Sequence, residues 1–222
     1  MRKTITGCLA MVVTFSSASA FAQQFSDKGT FAVSAERLMG LHLTQVNGDV
    51  NGDAPGGDID ADATEVGFLW QGGALTPYTI PRINIDYFVI NHLSVGGSLA
   101  YYNVDGDDNY LGIGGREGGY FLFAPRVGGA WMFNDWVGIW PRGGLHYYSM
   151  NYDGGDQAWQ LVFNVEAAVV LSPWKNFAFT VGPAFDIGML GNYDPDGPAD
   201  DFDIHAHSFG ILSVGMTGYF NF

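Results

Sequence analysis

Eight ionisable side chains stand out against a background that is otherwise greasy or small: Glu36, Arg37, Arg82, Asp86, Arg126, Arg142, Glu166 and Asp186. Arranged around one space, four carboxylates and four guanidiniums could do two things. They could lock together as a neutral network of charge-assisted hydrogen bonds, or they could exchange partners and pass ions. A nucleophile is harder to find. His146 is expected to face the same space near its outer rim, but no serine motif accompanies it, so an enzyme is not expected. Metal chemistry has two candidates. Asp58-x-Asp60-x-Asp62, with Glu65 close by, has alternating carboxylates of the kind calcium favours. It lacks the glycine and the terminal glutamate of an EF-hand. His205-x-His207, preceded by Asp203, is the second. Neither is a closed ligand set, so no metal and no cofactor are expected.

The elements carrying these residues are recognised by a period of two. Ile83, Ile85, Tyr87 and Val89 alternate with Arg82, Asn84, Asp86 and Phe88. Phe121, Phe123, Val127, Trp131 and Phe133 oppose Ala124, Arg126, Gly128 and Ala130. The same rhythm covers Thr30–Ala35, Leu93–Tyr102, Val137–Tyr147, Leu161–Leu171 and Phe177–Ile187. Arg37 falls off the rhythm and joins the polar face only if a bulge turns it inward. The final stretch, Ser208–Phe222, sets Phe222, Phe220, Gly218, Met216, Val214 and Leu212 against the smaller, more polar Asn221, Tyr219, Thr217, Gly215, Ser213 and Ile211. That makes eight strands. TEVGFLW at 64–70 is read as an extension of the first long loop and not as a ninth.

The connections come in two kinds that alternate. Asn91-His92, Asn134-Asp135 and Ser172 to Asn176 are tight, whereas 43–80, 104–118, 151–157 and 190–207 are long and hold 17 of the 23 carboxylates. A soluble sandwich would have to bury its Arg and Asp faces, at several kcal/mol per ion. A barrel can instead turn Phe, Leu and Val to lipid and the charges to a lumen. Aromatics near both sets of strand ends, such as Trp136 and Trp174 at the tight turns and Tyr101, Tyr148 and Trp159 at the long loops, fit two membrane interfaces. The fold class expected is therefore all-β, an eight-stranded antiparallel up-and-down transmembrane barrel. Proline at 81, 125, 141 and 183 cannot donate to a ladder, and bulges are expected beside it.

The start of the chain reads as a secretory signal over 1–22, with Arg2 and Lys3 before a short apolar core and Ala20-Phe21-Ala22 at its end. Residues 23–222 are then the barrel domain. Cys8 is the single cysteine and leaves with the signal, so no disulfide is expected. Loss of the two bases takes the net charge from −14 to −16, which argues against a nucleic-acid partner.

With its alternating strands, three tight turns and terminal Tyr219-Phe220-Asn221-Phe222, the mature chain resembles the small eight-stranded outer-membrane barrels of the OmpA membrane-domain and OmpX type. The resemblance implies a monomer in the bacterial outer membrane, in contact with outer-membrane lipid and lipopolysaccharide. It also implies Phe220 and Phe222 as the signal read by the barrel-insertion machinery. The function expected is a charge-plugged barrel with a structural or surface-interaction role through its acidic outer loops. The alternatives are a small channel for ions or hydrophobic solutes and, behind it, a lipid-modifying enzyme.

Overall fold

A computed structural model describes residues 25–49, 59–68, 80–104, 118–152, 155–196 and 202–221. The strands are β1 (Thr30–Asp49), β2 (Ile59–Phe68), β3 (Arg82–Ile90), β4 (Leu93–Val104), β5 (Gly118–Gly129), β6 (Trp131–Met132), β7 (Val137–Tyr152), β8 (Gln157–Trp174), β9 (Phe177–Asp194) and β10 (Phe202–Asn221). Each pairs antiparallel with its neighbour, and β1 also pairs with β10, which closes the sheet on itself. β6 continues β5 past Ala130, and β2 pairs only with the outer half of β1, so eight strands make the barrel. β2 is the extended hairpin expected of the first long loop. The signal segment, Asp58 and Phe222 lie outside the described residues.

Closure solves the problem that alternation poses. A lone strand with one apolar face must bury it, but a barrel leaves no free edge and can turn that face to lipid. Ile83, Ile85, Phe123, Val127, Phe163, Val165, Val169 and Leu171 all point outward and are exposed. Along β1 the outward apolar run from Phe31 to Leu43 covers roughly 12 steps of ~3.3 Å. A tilt of about 40° projects that to about 30 Å, the depth of a bilayer's hydrocarbon core. Aromatic rings bracket the band. Phe31 stacks on Phe220 and touches Tyr87 near the tight turns, and Tyr147 stacks on Trp159 towards the long loops.

Three expectations are corrected. Register is unbroken across Pro125 and Pro141, where the ladders only lose local pairings, so no bulge forms there. The bulge beside Pro183 lies in the facing strand, between Gly210 and Ser213 of β10. That slip changes the phase of the closing strand. Tyr219, Thr217 and Gly215 point inward below it, while Gly210, Ser208 and Ala206 point inward above it. Ile211, expected inside, is exposed outside next to Leu212. Tyr148 also departs from the expected aromatic belt and lies wholly inside, 1% exposed.

Candidate functional site: the filled lumen

The interior is built in three storeys. The lowest is an aromatic floor in which Phe25 meets Trp140, Tyr219 and Phe88 edge-on, with centroids 4.9, 5.2 and 5.6 Å apart. Ala32, Ala130, Val170 and Ala178 complete it. Phe25 comes from the segment before β1, which is tied under the barrel by the His92 N–H donating to the Ser26 carbonyl at 2.8 Å. Nothing in the sequence marked this residue, because it belongs to no alternating run. The other members, Phe88, Trp140 and Tyr219, sit at lumen phase, where a polar side chain was the simpler expectation.

Above the floor lies the charged storey, which brings together all eight ionisable residues named from the sequence. Each is at most 7% exposed. Arg126 grips Glu36 with both terminal nitrogens, at 2.8 and 2.7 Å, and reaches Asp86 at 2.7 Å. Arg142 bridges Glu36 and Glu166, the latter at 2.7 Å. Arg37 pairs with Asp186 at 2.8 Å and lies 3.4 Å from Glu166. Arg82 is held more loosely, 3.6 Å from Glu166 and 3.9 Å from Glu36. The four carboxylates and four guanidiniums of this set cancel, so each buried ion has a counter-charge.

The reason Arg37 joins the set is local. It adopts φ 52°, and the β1–β10 register shifts between Ala35 and Met39, so Glu36 and Arg37 point inward in succession. A positive φ is uncommon for a side-chain-bearing residue. Here the ion pair to Asp186 rewards it.

Neutral partners fill the remaining hydrogen-bonding capacity. Asn164 donates to Asp186 at 2.8 Å, Asn84 donates to Asp86, and Ser98 donates to Glu36 at 3.2 Å. These were legible as the lumen-phase neighbours of the charged positions. Trp140 links floor and network, since its ring lies 4.5 Å below the Arg142 guanidinium and its indole N–H donates to the Ser94 hydroxyl at 3.2 Å. The third storey combines Leu122, Val162 and Ala206 with His42, His146 and Tyr148. His146 Nδ1 lies 3.2 Å from the Tyr148 hydroxyl and 3.4 Å from Asp186.

Glycine makes room for these groups. A Cβ on Gly128 would stand 2.7 Å from the Trp140 indole nitrogen and 2.9 Å from Arg142 Cγ. Gly128→Val is therefore expected to cost about 1–3 kcal/mol, read as a lower urea midpoint of unfolding.

Of the metal candidates, Asp58 and the side chains of Asp60 and Glu65 lie outside what is described. Asp62 is exposed on the outer surface, His205 and His207 face outward from β10, and no group of three ligands able to hold a metal occurs among the described residues. His146, by contrast, is in the lumen as expected.

An apolar exterior, a closed ladder and a neutral ionic interior together decide the class. The chain is a membrane-type, closed antiparallel β-barrel of eight strands. No family model matches the sequence, and no curated relative matches it. Three solved structures trace a similar path. They are the attachment invasion locus protein Ail of Yersinia pestis (13% identity, TM-score 0.41, covering 87% of this chain and 99% of that one), neisserial surface protein A (14%, 0.39, 86% and 99%), and the outer membrane protease OmpT of Escherichia coli (11%, 0.45, 90% and 100%). Likeness this distant concerns the course of the backbone alone.

Proposed function

We propose that the protein is a closed membrane anchor that displays acidic loops at the outer surface, with no solute path through its centre and no catalytic step. The observation that supports this most is the filled cross-section. Two successive storeys, one aromatic and one ionic, occupy the lumen with side chains that are almost wholly buried. Opening a path would mean separating several short ion pairs at once and withdrawing the floor, and each broken buried pair costs several kcal/mol. The long connections between the strands carry most of the chain's negative charge. A surface of that sign attracts polycations and divalent ions, with a strength that falls as salt rises.

The test has two readouts on cells with and without the protein. Uptake of a small sugar or ion is expected to be unchanged, while retention of a fluorescent oligolysine should rise and then vanish at high salt. Faster uptake would favour the channel reading, and unchanged oligolysine retention would remove the surface role.

A further inference from the structure

The outer surface of β1, β2, β9 and β10 carries a groove of about 460 Å³ that the lumen-centred reading leaves unused. Its position is informative. On β1 the outward residues turn from apolar to polar between Leu43 and Gln45, and on β10 the same change falls between Phe209 and His207. These positions are in register, because Leu43 faces Phe209 and Gln45 faces both His207 and Asp62 across the two neighbouring strands. On β1 and β10 the groove therefore straddles the line where the lipid-facing band ends, while on β9 the exposed apolar run continues past it through Met189 and Leu190.

Its concavity has a cause in the backbone. The β10 segment from His207 to Gly210 is bracketed by register shifts, one between Asp203 and His207 and one between Gly210 and Ser213. Bulges bend and twist a strand, and two of them around a short stretch dish the surface between them. The inner end of the dish is apolar, with Phe185 stacked on Phe209 at 4.5 Å beside Leu43. The outer end presents the exposed carboxylate of Asp62, flanked by Gln45 and His207 with Ile187 beside the latter, and among the described residues no Lys or Arg lines it.

We propose that this groove binds a zwitterionic, amine-bearing phospholipid of the ethanolamine type. Its ammonium would donate to Asp62, its phosphodiester would accept from Gln45 and His207, and one alkyl chain would lie on Leu43, Phe185 and Phe209. The floor is continuous with the established lipid-facing band, which is why the occupant is a membrane lipid and not a soluble ligand. The carboxylate, with no Lys or Arg beside it among the described residues, selects a cationic headgroup over an anionic one.

Native mass spectrometry of the delipidated full protein tests this with dioleoyl phosphatidylethanolamine, phosphatidylcholine and phosphatidylglycerol at equal concentration. The ethanolamine lipid is expected to be retained about two- to fivefold more than either other, the scale of an exposed ion pair. Asp62→Asn should erase that preference, and Phe209→Ala should weaken retention of all three. Equal retention of the three lipids by the unaltered protein would overturn the proposal, as would a preference that survives Asp62→Asn. The comparison on unaltered protein stands even where a variant fails to fold, which heat-modifiable gel migration reports.

Discussion

Replacing Arg126 by Met is expected to lower the unfolding free energy by about 3–5 kcal/mol, the cost of leaving buried carboxylates without their partner. Arg126 is the busiest base in the lumen, bound to both Glu36 oxygens and to Asp86. Glu36 would still have Arg142, but among the described residues Asp86 would keep only the Asn84 amide. The loss should therefore be dominated by Asp86. Adding Asp86→Asn to Arg126→Met should recover a good part of the stability, because the orphaned charge is removed with its partner. The measurement is urea unfolding in lipid vesicles, followed by gel mobility and tryptophan fluorescence. A single variant within about 1 kcal/mol of the parent, or a double variant no better than the single, would mean that the network is not the support inferred for it.

Trp140→Ala should have an effect of similar size for a different reason. The ring is 0% exposed, packs on Phe25 and Phe88, and underlies the Arg142 guanidinium at 4.5 Å. Truncating a buried Trp costs about 3–5 kcal/mol through lost packing and the cavity left behind. Trp136→Ala is the comparison, because that ring is 65% exposed at a tight turn and its loss should cost roughly 1 kcal/mol or less. Equal effects of the two substitutions would place the stability in the interfacial rings and not in the floor.

Much of this was legible in the sequence because a barrel strand has only two faces. Once Ile83, Ile85 and Tyr87 are assigned to lipid, Arg82, Asn84 and Asp86 must share the lumen. The same logic applied to β5, β7, β8 and β9 assembled the charged storey from residues far apart in the chain. It fails wherever the period of two is interrupted. The left-handed backbone at Arg37 was allowed for but could not be located from spacing alone. The slip at Gly210–Ser213 reversed the face of Ile211, since a one-residue shift moves every later side chain to the other side. Phe25 was invisible for a third reason. It lies in a non-strand segment, and only the closed tertiary structure shows that the space under Trp140 needs a ring.

Proline taught a related lesson. A missing N–H does not by itself force an extra residue into a strand. At Pro125 and Pro141 one of the two flanking ladders simply omits local pairings, and the registers on either side agree. The Arg residues that follow them still reach the lumen.

Single-channel recording in planar bilayers tests the central claim most directly. With the refolded protein at high salt and across a range of voltages, the filled lumen predicts no stable, reproducible conductance steps. Disrupting floor and network together with Trp140→Ala and Arg126→Met should be needed before steps occur. Discrete openings of uniform size from the unaltered protein would contradict the account, because they require a continuous path through the two storeys described above.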